Sequence, residues 1–74
     1  MKTKYSNGSV ETHDNLGAAV AAIRDTYPDA FICDSGGFEV NGENDRRDGD
    51  SLWVWPNEAA QLQGKDSDIL AEIS

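Results

Sequence analysis

Two tryptophans and an excess of carboxylates are the residues of this chain best placed to do chemistry, and that chemistry is contact with another macromolecule. Trp53 and Trp55 alternate with Leu52 and Val54, so both indoles share one face of a strand and both aliphatics the other. If a helix packs on Leu52 and Val54, the tryptophans stand on the open face, where aromatic side chains flanked by charge anchor protein contacts. The opposite packing would make the indoles the core. The acids form the second set: Asp25, Asp29, Asp34, Glu39, Glu43, Asp45, Asp48, Asp50, Glu58, Asp66 and Asp68. On a body about 25 Å across they must crowd one another.

The balance of charge gives that set its meaning. Fourteen Asp and Glu stand against six Lys and Arg, for a net charge of −8 and a pI near 4.2. It is unevenly placed: residues 1–24 carry three bases and two acids, residues 25–74 three bases and twelve acids. A field of that sign repels nucleic acid and most membrane surfaces and attracts basic protein surfaces. Direct binding to DNA or RNA is therefore not expected. Proteins grip duplex DNA in grooves lined with Lys and Arg, and a compact polyanion can occupy such a groove by holding carboxylates where phosphates would sit. A merely soluble acidic surface, or adaptation to high salt, would produce the same composition.

Other chemistries find less support. His13 is the single histidine and Cys33 the single cysteine; nothing local pairs them as base and nucleophile, and no enzymatic activity is expected. Cys33, in the run Ala30-Phe31-Ile32-Cys33, reads as a buried apolar residue, and His13 as a surface residue at a strand end. The acidic loop Asn41–Asp50 has oxygen donors for calcium, but counting from Asn41 puts Arg46 where a calcium loop needs glycine. No metal or cofactor is expected, although a metal-binding module stays among the alternatives.

The elements that must position these residues follow from local pattern. Asn7-Gly8 between two β-prone runs predicts a hairpin with both turn positions at positive φ. Asp14 or Asn15 caps a helix whose Leu16, Ala19, Val20, Ile23 and Tyr27 recur at steps of three and four and which ends before Pro28. Ala30–Cys33 and Phe38–Val40 predict a second hairpin through Gly36-Gly37, and Ser51–Trp55 is the clearest strand. Asn57 caps a short helical turn ended by Gly64, and Ile69, Ala71 and Ile73 alternate as a last strand. With 74 residues and 38% hydrophobic content, the chain makes one α+β domain: a small antiparallel sheet with one main helix on a face and a second, short helical turn. The start MKTKYSNGSVE lacks the apolar run of a signal peptide and no stretch is apolar enough to span a bilayer, so a soluble cytoplasmic protein is expected.

The segment Leu52-Trp53-Val54-Trp55-Pro56-Asn57-Glu58-Ala59-Ala60, leading to Asp66-Ser67-Asp68-Ile69-Leu70-Ala71-Glu72-Ile73, is similar to a C-terminal pattern of small phage and mobile-element proteins. The chain as a whole resembles, in particular, the anti-CRISPR inhibitors of type I interference complexes. These share no common fold or catalytic residues, so no residue role carries over. The resemblance implies a mode of action in a bacterial host cell: stoichiometric binding to a Cas effector subunit, often at the basic channel that receives target DNA. A regulatory adaptor using the Trp53/Trp55 face is the alternative partner-binding reading.

Overall fold

The computed structural model describes residues 1–46 and 51–74. The chain runs through β1 (Lys2–Tyr5), β2 (Val10–Thr12), α1 (Leu16–Thr26), β3 (Phe31–Cys33), a 3₁₀ turn (Glu43–Asp45), β4 (Leu52–Trp55), α2 (Glu58–Gln63), a second 3₁₀ turn (Asp66–Asp68) and β5 (Ala71–Ile73). The five strands form one antiparallel sheet in the order β2-β1-β5-β4-β3, which is the expected α+β architecture. No described helix is long and apolar enough to cross a membrane.

The C-terminal strand lies in the middle of the sheet. β5 pairs with β1 on one side and β4 on the other, with Ile73 opposite both Thr3 and Leu52. Ile32, Leu52, Val54, Ala71 and Ile73 point to one face and meet Leu16, Ala19, Val20 and Ile23 of α1 in a continuous core. Helical spacing puts those four on one stripe. Tyr27 does not continue it, because it is the residue that ends the helix and is 37% exposed. Asn15, rather than Asp14, caps α1 through Ala18 N–H at 2.8 Å.

Two connections differ from the sequence pattern. In the first hairpin only Gly8 has positive φ, at 92°. Its N–H donates to the Tyr5 carbonyl while Tyr5 N–H donates to Ser9, so the link is a three-residue turn with glycine in the left-handed position, not a two-residue turn. Asn7 avoids positive φ and instead accepts from the Ser9 N–H and hydroxyl. The expected strand Phe38–Val40 is reduced to one bridge, Glu39 to Cys33, and an N–H donated by Val40 to Ile32. Phe38 is 59% exposed there; the chain leaves β3's edge after Val40 to cross towards α1.

Candidate functional site

β4 settles which way the tryptophans face. Leu52 and Val54 are wholly buried beneath α1, so Trp53 and Trp55 stand on the opposite face of the sheet. That face is only partly covered. Directly opposed residues in antiparallel strands share a face, and the pairings place Val10, Lys4, Glu72, Trp53, Cys33 and Glu39 in one row across the sheet. The chain from α2 through the second 3₁₀ turn passes over this row and leaves a cleft.

The cleft, about 570 Å³ and open to solvent, is lined by Cys33, Asp34, Ser35, Gly37, Trp53, Trp55, Gln61, Asp66 and Ile69. A smaller hollow of about 270 Å³ lies beside it, bounded by Lys4, Tyr5, Ser6, Trp53, Asp66, Ile69, Ala71 and Glu72. Trp53, Asp66 and Ile69 border both, so this trio is the ridge between them. Trp55 forms the floor and is 7% exposed, whereas Trp53 is half-exposed. Ile69, expected to alternate with Ala71 and Ile73 in the last strand, lies before it and lines this side instead, because the strand begins only at Ala71 after the 3₁₀ turn.

Asp34 is an exception among the acids. It is 4% exposed, and its Oδ1 accepts from Gly36 N–H at 2.9 Å and Phe38 N–H at 3.1 Å. Its carboxylate closes the turn that walls the cleft and is not offered to the surface. Gly37 has φ of 83° in that turn, and a Cβ there would lie 3.1 Å from Gln61 Nε2 of α2. Asn57 holds the start of α2 by accepting from Ala60 N–H at 2.8 Å.

Two further expected contact carboxylates also have structural duties. Glu43 Oε1 accepts from Leu16 N–H at 3.2 Å, at the helix end where the peptide dipoles favour an anion. Asp45 Oδ2 accepts from Asn41 N–H at 3.1 Å and closes the short 3₁₀ turn. Both keep exposed surface. Asp25, Asp29 and Glu58 are exposed and Asp68 half-buried, while Asp48 and Asp50 lie outside the described residues.

The structure thus gathers Glu39, Asp66 and Glu72 on the tryptophan side, and carries Asp25 and Asp29 at the C-terminal end of α1. Glu72 was missed as a candidate from sequence, yet Ala71 and Ile73 point inward, which obliges Glu72 to face outward beside Trp53. Among the described residues, Asp34 aside, no carboxylate lies within ion-pair distance of a Lys or Arg, and Glu11 stands 3.4 Å from His13. Arg24 is occupied by Asn41 Oδ1 at 2.6 Å.

His13 and Cys33 do not form a dyad. His13 follows β2 and Cys33 lies in β3, at opposite edges of the sheet and some four strand spacings, about 19 Å, apart. His13 is half-buried rather than at the surface, its backbone exchanging hydrogen bonds with Met1. Cys33 is 3% exposed. Burial pushes its thiol pKa up, the adjacent Trp55 side chain partly offsets this, and Asp34 adds to the rise.

No known protein family, curated protein or solved structure matches the chain.

Proposed function

We propose that this protein is an inhibitor of a nucleic-acid-handling complex, binding the Lys- and Arg-lined site that would otherwise receive DNA. The observation that carries this reading is the exposure of carboxylates without a cationic partner: among the described residues, Asp34 aside, none lies within ion-pair distance of a Lys or Arg, and Asp34 alone is buried. Glu43 and Asp45 aside, which hold backbone N–H groups, the exposed carboxylates are not arranged to stabilise the fold. Asp25 is even exposed in the last turn of α1, where the helix dipole disfavours an anion by about 0.3–1 kcal/mol. Carboxylates kept in positions that do not stabilise the fold are available to a cationic partner. Within this class, the resemblance of the chain to anti-CRISPR inhibitors makes a type I Cas effector subunit the partner of choice.

The test is displacement of a labelled DNA duplex from a purified type I effector complex. The parent protein should displace it stoichiometrically. The triple variant Glu39→Lys, Asp66→Lys, Glu72→Lys should remain folded by circular dichroism and lose at least about a hundredfold in affinity, since charge pairs at a desolvated interface are each worth about 2–5 kcal/mol. Equal displacement by the folded triple variant would remove the carboxylates from the mechanism. The half-exposed Trp53 favours a second reading, an adaptor anchored by its aromatic face, whose binding would respond little to salt.

A further inference from the structure

We infer that the cleft at Trp53 is the anchoring pocket of the interface and that its occupant is an arginine side chain projecting from the basic surface of the partner protein. The inference rests on the charge-based reading above and gives it a location. Three features of the cleft converge on a guanidinium. The half-exposed Trp53 indole offers a π surface of the kind on which a planar cation stacks. Asp66, exposed and bordering both hollows, supplies a carboxylate at the cleft, and Glu72, directly across from Trp53 on β5 and bordering the smaller hollow, adds a second negative charge behind the indole. Ile69 and Trp55 provide apolar lining for the methylene stem.

Arginine suits this combination better than lysine, because its fork matches a carboxylate bidentately and its plane stacks on an aromatic ring, whereas an ammonium is a strongly hydrated point charge. Lys4 limits where the cation can sit. It borders the smaller hollow and opposes Glu72 from β1, so the guanidinium belongs in the larger cleft against Asp66, with Glu72 acting on it from across the ridge. The rim suits a protein partner. Gly37 and Gln61 meet at the wall, and Leu62, the chain neighbour of Gln61, is 75% exposed, apolar surface of the kind that surrounds an interfacial anchor.

The experiment titrates the full-length protein with hexa-arginine and hexa-lysine peptides at about 50 mM salt, where charge contacts are weakly screened. Affinities are read by tryptophan fluorescence and the site by the two indole N–H resonances in ¹H–¹⁵N spectra. Two double variants remove equal charge: Asp66→Asn with Glu72→Gln beside Trp53, and Glu11→Gln with Asp14→Asn at the β2 edge of the sheet and before the start of α1. The expected result is that hexa-arginine binds at least about threefold tighter than hexa-lysine and moves the Trp53 indole resonance. The Asp66/Glu72 variant should weaken it about tenfold and the Glu11/Asp14 variant less than about threefold. Equal weakening by both variants, with the Trp53 resonance unmoved, would overturn the arginine pocket and leave the charge-based reading standing. Failure of both peptides to bind would overturn the two together.

Discussion

At residue scale the acids divide by what their oxygens touch. Asp34 Oδ1 holds two backbone N–H groups of the turn beside the cleft. Asp34→Ala should lower unfolding free energy by about 2 kcal/mol, since buried donors lose their acceptor, while Asp34→Asn, which keeps an oxygen there, should cost less than about 1 kcal/mol; urea unfolding measures both. Gly37→Ala should be similarly costly, because alanine is strained at φ of 83° and its Cβ would press on Gln61. Titration gives a further expectation. Burial raises the Cys33 thiol above its ordinary 9.0, and burial first and Glu11 second raise the Tyr5 phenol above 10.0. Both groups are neutral when protonated, so the folded state holds its protons to higher pH than the unfolded chain does. Their stabilising contribution is complete below about pH 9 and is lost as pH rises through the folded values. The melting temperature should therefore hold through neutral pH and fall progressively above pH 9, and Cys33→Ser should remove part of that fall.

At the scale of elements, β5 connects what would otherwise be two separate hairpin-like halves, β1–β2 and β3–β4. Deleting residues 71–74 should abolish cooperative thermal unfolding, because isolated two-stranded pieces are marginal in water; a truncated chain with a sharp transition would show that α1 alone unites them. The alternation of Ala71 and Ile73 made the strand legible in the sequence, as helical spacing did for α1 and as Asn57 and Gly64 did for α2. The central position of β5 was not legible, since pairing between chain ends depends on the whole sheet and not on any local pattern. Tertiary context also decided the tryptophan strand: β4 alternates perfectly either way, and only the placement of α1 over Leu52 and Val54 turns the indoles outward. Phe38–Val40 looked like a strand by composition, but the Asp34 turn and the departure towards α1 leave it a single bridge. Glu43 could not be separated from the other carboxylates by sequence, because its backbone partner is 27 residues away; Asp34 and Asp45 bind N–H groups only two to four residues away, in turns that any Asp in a glycine- and asparagine-rich stretch could form.

For the whole molecule, a net charge of −8 on a body of 31 × 25 × 20 Å has consequences in isolation and in complex. Alone, the protein should gain thermal stability as salt screens repulsion among its carboxylates, a trend visible in melting temperatures from low to molar sodium chloride. In complex the same screening should act in the opposite direction, since a partner drawn by opposite charge is released by salt. The central claim is that carboxylates facing Lys and Arg hold the partner, and its most direct test is the dissociation constant for a purified type I effector complex as salt is raised from about 50 to about 300 mM. Binding should weaken by at least about thirtyfold, together with loss of DNA displacement over the same range. An affinity that changes by less than about threefold would contradict it and identify the aromatic face, not the charge, as the source of binding.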